Sequence, residues 1–374
     1  MKVAILAGTR PEVVKLAPVH AALTASDVET LWISTEQQGA LNGQALDTFG
    51  ITPDLRLDPP APERTLGGRF AQIMDRLDQA IGRLEPDLVL VQGDTSTTAA
   101  GAMAAFARRV PVGHIEAGLR TFDRTQPFPE EGWRCVVGQL ADLHFAPTDA
   151  AARNLLRAGV AQHRIHMTGN TGIDAVRLAG DRATPVPLTG GLRRVLVTVH
   201  RRENWGPELE QVLAALVSIR DNVPDIEIVF VAHANPALRG RVDAVLQGQS
   251  RIRIVDPLDY LGFLSHLKSA TLILSDSGGV QEEAPVLGVP VLVLRDTTER
   301  AEAVEAGVAR LVGAQTDRIV AAATDLLTRE VERMEMVRSI SPFGDGYASH
   351  RIAGVIAGWQ AERPAGGAQI RAAV

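Results

Sequence analysis

One cysteine, Cys135, stands in a chain of 374 residues. A lone thiol excludes an intrachain disulfide framework and any cysteine-rich metal centre. Aromatic residues make up only 4% of the chain, so its cores must be assembled from Ala, Val, Leu and Ile. No run approaches the roughly 18 to 20 apolar residues of a membrane span. The apolar stretch after Met1 stops at Gly8, too short for a secretory signal. A cytoplasmic protein with no membrane partner is expected on those grounds. A formal net charge of −6 argues against nucleic acid as a partner, since backbone binding calls for a basic face. Neither a Gly-x-Gly-x-x-Gly turn nor a Gly-x-x-x-x-Gly-Lys-Ser/Thr loop occurs, which argues against a bound dinucleotide and a P-loop. The His, Asp and Glu residues show no metal-ligand spacing. No cofactor and no metal are expected.

What is present is alternation. Candidate strands at Val3–Ala7, Thr30–Ser34, Leu88–Val91, Val112–Ile115, Val195–Val199, Ile226–Val231, Ile252–Val255, Leu272–Leu274 and Val289–Leu294 are separated by helical patterns. The clearest pattern sets Phe70, Ile73, Leu77, Ala80, Ile81 and Leu84 on one stripe at spacings of three and four. Such β/α alternation predicts an α/β protein, its parallel sheets covered by helices on both faces. The composition breaks at 180–191, GDRATPVPLTGG, where Pro and Gly without periodicity predict an interdomain linker. The resulting division is a first domain over 1–180, a linker over 181–191 and a second domain over 192–347. A last helix over 348–361 is assigned to the first domain, and a disordered tail is expected over 362–374.

In open α/β sheets ligands bind outside the carboxyl ends of the strands. Ionisable residues gather at those ends: Arg10 and Glu12 after the first strand, Asp94 after Leu88–Val91, Glu116 after Val112–Ile115, then His200-Arg201-Arg202 and His233. The stretch SDSGGVQEEAPVLGVPVLVLRDTTER, Ser275–Arg300, carries a Ser/Gly turn that opens a short helix after a strand. Uncovered backbone N–H groups at a helix start suit a phosphate. Glu282 and Glu283 are placed in the first turn of that helix, where a carboxylate accepts from a sugar or ribose diol or complements the helix dipole. Asp94, Glu116 and Glu130 are candidates for paired acid/base work. Each also has a structural reading. Asp94 precedes Thr95-Ser96-Thr97 and is placed to cap a helix; Glu116 and Glu130 flank Arg120 and Arg134, which are placed to ion-pair with them. His200 and His233 are equally readable as satisfied structural histidines.

Eight motifs appear in order: GTRPE with Lys15, QGDT at 92–95, HIEAGLRT at 114–121, PFPEE at 127–131, HRREN at 200–204, PLDYLGF at 257–263, SDSGGVQEEAP at 275–285 and RDTTER at 295–300. Together they resemble the bacterial non-hydrolysing UDP-N-acetylglucosamine 2-epimerases over almost the whole chain. The resemblance implies two Rossmann-like, doubly wound parallel-sheet domains facing a central cleft, as in GT-B glycosyltransferases. It further implies a C-terminal helix crossing back to the first domain, and a homodimer. The implied reaction interconverts UDP-N-acetylglucosamine and UDP-N-acetylmannosamine. Loss of the C2 proton with expulsion of UDP gives 2-acetamidoglucal, and UDP adds back after protonation on the opposite face.

Carried over to this sequence, the resemblance gives Ser277, Gly278 and Gly279 the diphosphate and Glu283 the ribose diol. Phe263 with the Leu258 backbone would seat the uracil. Arg10 and His200 would neutralise the diphosphate, Arg300 would complete the anion pocket, and Lys15 would support the first-domain rim. Asp94, Glu116 and Glu130, with His200, form the implied catalytic set. The chain departs from the family at Thr35-Glu36-Gln37-Gln38, where a Gly-Gln-His segment is usual and helps to bind a second UDP-N-acetylglucosamine as activator. Weakened activation is expected. A retaining GT-B glycosyltransferase using a UDP-sugar and a hydrolysing 2-epimerase releasing N-acetylmannosamine and UDP are the alternatives.

Overall fold

The computed structural model describes residues 1–338 and 341–362. The tail expected from residue 362 therefore lies outside the described residues, except for Glu362 as the last residue of a helix. Two compact units are present, Met1–Leu178 with the chain from Phe343 onward, and Ala179–Pro342.

The first unit holds a seven-stranded sheet in the order β3-β2-β1-β4-β5-β6-β7. Its strands are β1 (Lys2–Ala7), β2 (Glu29–Ser34), β3 (Leu55–Arg56), β4 (Leu88–Gln92), β5 (Val112–Ile115), β6 (Leu143–Ala146) and β7 (Ile165–Met167). Neighbouring strands pair in parallel throughout. Residue alternation along β1 feeds two cores: Val3, Ile5 and Ala7 enter one, Ala4 and Leu6 the other. Period-two side-chain direction explains why a continuous apolar run serves both faces. The stripe on the helix Leu66–Leu84 buries Ile73, Leu77, Ala80 and Ile81 in the second of these cores, with Phe70 and Leu84 packed at its margin. Truncating Leu77 to Ala there costs about 2–5 kcal/mol.

The helix Ala348–Glu362 adds Ile352, Ala353 and Ile356 to the other core. Asp174 fixes its first turn, accepting from the Ser349 N–H at 2.7 Å and hydroxyl at 2.6 Å. The last helix thus returns to the first unit.

The second unit holds a six-stranded parallel sheet in the order β10-β9-β8-β11-β12-β13. Its strands are β8 (Arg193–Thr198), β9 (Ile226–Val231), β10 (Ile252–Val255), β11 (Ala270–Ser275), β12 (Val291–Val293) and β13 (Ala309–Leu311). Val195, Val197, Ile226, Ile228, Phe230, Leu272 and Leu274 form the buried face of its core.

Four strands escaped the sequence pattern: β3, β6, β7 and β13. Each has only two to four residues, and β7 (IHM) and β13 (ARL) are interrupted by polar side chains. Strands this short, three of them (β3, β7 and β13) at sheet edges, owe their state to a neighbour's backbone rather than to their own periodicity. The stretch expected to be a plain linker includes a short 3-10 turn at Thr189–Gly191.

In each sheet the chain winds one way from a central strand and then returns to that strand's other side. The switch points are β1/β4 and β8/β11. Loops leaving the two strands diverge there, opening a crevice at their carboxyl ends.

Candidate active site

The first unit's switch point is charged and closely bonded. Glu116 directly follows β5 with φ of 62°, a left-handed backbone that costs a residue with a Cβ on the order of 1 kcal/mol. Its buried carboxylate is engaged on both oxygens. Oε2 accepts from Gln92 Nε2 at 2.6 Å and pairs with Lys15 Nζ, while Oε1 lies 3.2 Å from Arg134 Nη2. Arg134 Nη1 also donates to the Glu116 carbonyl at 2.8 Å. The same guanidinium reaches Asp94, with Nε 2.8 Å and Nη2 2.7 Å from Oδ2. Arg134 therefore ties carboxylates from the ends of β4 and β5 into one set, and Lys15 from the helix after β1 completes it. Buried charges persist only when paired in this way.

Thr95, not Asp94, caps the helix Ser96–Ala107, accepting from the Thr98 N–H at 3.1 Å. The capping reading of Asp94 is thereby corrected: its carboxylate is drawn to Arg134. The ion-pair reading holds for Glu116 with Arg134. Arg120 pairs with Glu131, Nε to Oε1 at 2.7 Å, and Glu131 also accepts from the N–H groups of Thr121 at 3.0 Å and Phe122 at 3.1 Å. Glu130 opens the helix Glu130–Leu140, partly buried and one turn before Arg134.

Glu12 couples the two diverging loops. Wholly buried, it accepts from Gly8 N–H at 3.0 Å, Thr9 N–H at 2.8 Å and the Thr95 hydroxyl at 2.5 Å. Burial pushes its carboxyl up, and these hydrogen bonds oppose the rise. Arg10, partly buried at the start of the same helix, donates its N–H to Gln38 Oε1 at 2.9 Å. Gln37 Oε1 accepts from the Thr97 N–H at 3.2 Å and hydroxyl at 2.9 Å. Both glutamines of the divergent 35–38 segment are thus turned to partners in their own unit.

The second unit's switch point is organised around one buried carboxylate. Asp276 accepts from His200 N–H at 2.9 Å, Arg201 N–H at 2.9 Å and Asn204 Nδ2 at 2.9 Å. It therefore fixes the loop after β8 to the end of β11, and with it the position of His200. The Thr198 and Ser275 hydroxyls lie 2.7 Å apart, and Ser275 Oγ accepts the Ser277 N–H at 3.0 Å. Ser277 is the N-cap of the helix Gly278–Val286, so Gly278 and Gly279 form its first turn.

No acidic residue occupies that first turn. The expected placement of Glu282 and Glu283 is corrected by about one turn, because the helix starts at Gly278 rather than nearer the carboxylates. Glu282 is fully buried and pairs with Arg300, Nε to Oε1 at 2.9 Å. Arg300 packs over the glycine turn so closely that a Cβ on Gly278 would lie 2.6 Å from its Cζ. Arg300 also lies 3.5 Å from Glu299, which pairs with Arg295 at 2.8 Å and Arg201 at 3.5 Å. Burial raises the Glu299 carboxyl, but Arg300, Arg201 and Arg295 outweigh it and hold the group at about 2. Glu283 is 3.5 Å from the buried Tyr260 hydroxyl. Burial, reinforced by Glu283, raises that phenol well above its ordinary value.

Leu258 precedes Asp259, which caps the helix Tyr260–Lys268 through Gly262 N–H at 2.7 Å, and Phe263 is partly buried on that helix. Burial lowers the His233 imidazole, with Asp276 opposing. Its ring packs edge-on to Trp205 at 5.3 Å and lies 6.0 Å from His200. Among the described residues no group of His, Cys, Asp and Glu is gathered to hold a metal, and no helix is long and apolar enough to cross a membrane.

Sequence reasoning gave Gln92 and Asp276 no role of their own, and named Glu12 only as a rim residue and Arg134 only as a candidate ion-pair partner. The available signal was modest: Gln92 and Asp276 lie at strand ends, and Arg134 follows Glu130 by one helical turn. What joins them is spatial.

The model of the family described as UDP-N-acetylglucosamine 2-epimerase matches residues 21–357. The chain is 44% identical over 365 residues to the UDP-N-acetylglucosamine 2-epimerase of Escherichia coli (strain K12), covering 94% of this chain and 97% of that protein. It is similar in fold to the Neisseria meningitidis UDP-GlcNAc 2-epimerase bound to UDP-GlcNAc, with a TM-score of 0.92, 36% identity, and 96% and 100% of the two chains covered. The S. aureus MnaA–UDP structure gives a TM-score of 0.89 at 39% identity, covering 97% and 98%.

Proposed function

This chain belongs to the UDP-N-acetylglucosamine 2-epimerase family, and from that premise we propose that it interconverts UDP-N-acetylglucosamine and UDP-N-acetylmannosamine without net hydrolysis. The observation that carries the proposal is the Asp94–Arg134–Glu116 bridge at the β1/β4 switch point. A diphosphate-binding turn alone serves a transferase equally well. Two carboxylates with compensating cations are what a proton-transfer site adds.

The chemistry divides between the units. Ser277, Gly278 and Gly279 hold the diphosphate with the N–H groups of a helix start, and Glu283 takes the ribose diol. Phe263 and the Leu258 backbone seat the uracil. Arg10, His200 and Arg300 offset charge as UDP departs. C2–H has no neighbouring carbonyl, so its proton leaves as the C1–O bond to UDP breaks. Asp94, its two contacts to Arg134 both made through Oδ2 and its side chain 28% exposed, is the proton-transfer group. Glu116, bonded on both oxygens, positions Lys15 and Arg134, and Glu130 serves the opposite face of the sugar. Retention of UDP until it adds back to C1 separates this reaction from hydrolysis.

The test is incubation with UDP-N-acetylglucosamine in D₂O, followed by NMR. Deuterium at C2 of both intact UDP-sugars is expected. Free N-acetylmannosamine with UDP would establish the hydrolysing reaction instead, and no exchange without an acceptor sugar would establish a transferase.

A further inference from the structure

The motif GTRPE contributes Arg10 to the proposed site and leaves Glu12 without a task. Glu12 is the third residue of the helix Arg10–Thr24, and its Oε2 returns to the N–H of Thr9, the residue before that helix. A capping carboxylate needs no more than this, and it serves equally well at a wet surface. Glu12 is instead 0% exposed. Taking a carboxylate out of water costs free energy beyond what a cap contributes.

Its other oxygen leads elsewhere. Oε1 leaves the helix and accepts from the Thr95 hydroxyl at 2.5 Å, with the Thr98 hydroxyl 3.2 Å away; those side chains are 83 and 86 residues distant in sequence. Thr95 directly follows Asp94. On the other side of Asp94, Gly93 donates its N–H to the Ile115 carbonyl at 3.0 Å, and its carbonyl meets His114 Nε2 at 2.8 Å. Strand β5 therefore holds the residue before Asp94, and Glu12 holds the residue after it.

We infer that Glu12 is a positioning residue for proton transfer, fixing Asp94 through Thr95 at a set distance from the loop that carries Arg10. The inference rests on the reading of Asp94 given above. Being fully buried, Glu12 meets no substrate; it acts by holding the ends of β1 and β4 together. A displaced Asp94 leaves UDP binding intact but no longer lies in line with C2–H. The loss falls on turnover.

Glu12→Gln keeps the shape and changes one feature. The Gly8 and Thr9 N–H groups cannot accept, so they retain the amide oxygen and the NH₂ group turns to Thr95. The short charge-assisted contact becomes an N–H···O bond of about 2.9 Å or longer. The β4 loop moves by a fraction of an ångström while Arg10 keeps its place. Misplacement by ~1 Å costs about a hundredfold, so C2 exchange at saturating substrate should fall about tenfold. UDP affinity followed by calorimetry should stay near native.

Thr95→Val removes the same contact from the other side and should match that loss, and Thr95→Ser should keep native exchange. Combining Glu12→Gln with Thr95→Val should be no slower than the slower single variant, as expected when both act through one bond. Leu77→Ala, a core truncation in the same unit, lowers stability without touching these loops and should keep native exchange, which separates positioning from loss of fold. Native exchange in Glu12→Gln, a UDP affinity that falls in step with exchange, or additive losses in the double variant would overturn the inference. Should Glu12→Gln fail to fold, Thr95→Val against Thr95→Ser decides it, and equal exchange in those two would overturn it. No exchange in the native protein, or full exchange in Asp94→Asn, would remove the catalytic reading and this inference with it. A slow Asp94→Asn beside an undiminished Glu12→Gln would remove this inference alone.

Discussion

Where β1 and β4 diverge, Asp94, Glu116, Lys15 and Arg134 share one hydrogen-bonded set. Where β8 and β11 diverge, one carboxylate, Asp276, is spent on backbone N–H groups and an asparagine, and a glycine turn opens a helix beside it. The two sheets share a winding rule but not a chemistry. The first switch point places opposite side-chain charges against each other, which suits moving a proton. The second presents backbone dipoles with arginines behind them, which suits holding an anion. Topology selects where a site can be; the side chains at strand ends select what it does.

That contrast breaks first at Asp94. Asp94→Asn should lower C2 exchange by roughly 10²–10⁴-fold, the usual contribution of a positioned acid/base group, while UDP binding followed by calorimetry stays near native. Full exchange in the variant would remove Asp94 from the proton-transfer role.

The second unit should respond in stability and binding instead. Glu299 is held at about 2 against an ordinary 4.5. A depressed carboxyl stabilises the fold above its unfolded value, and that contribution disappears as pH falls from 4.5 toward 2. At neutral pH it is on the order of 3 kcal/mol. Glu299→Gln should lose that amount in urea unfolding and flatten the acid limb of the stability profile; an unchanged acid limb would contradict the arginine cluster.

Gly278→Ala would press a Cβ against Arg300 Cζ at 2.6 Å. Overpacking of this kind costs about 1–3 kcal/mol, and UDP affinity should fall about tenfold with C2 exchange at saturating substrate less affected. The smallest effect concerns Gln37 and Gln38, already bonded to Thr97 and Arg10. The rate against UDP-N-acetylglucosamine should be hyperbolic, and a strongly sigmoidal curve would show that activation by a second substrate survives.

Much of the fold is legible in the chain because its signal is local. The run KVAILA supplies both faces of β1, and the stripe from Phe70 to Leu84 describes one helix. By contrast, β7 and β13 are strands because a neighbour offers a ladder. The position of Asp94 at a rim follows from the strand before it; its bond to Arg134, forty residues away in sequence, does not.

The sequence alone determined the α/β class, the Ser-Gly-Gly helix start and the family, because periodicity, glycine and motif order are written along the chain. Tertiary structure decided the strand order and so the two switch points. It also decided that Thr95 caps a helix while Asp94 meets Arg134, and that Glu282 pairs with Arg300. Those outcomes depend on which charges are buried together, and burial is a property of packed neighbours rather than of any residue's own place in the chain.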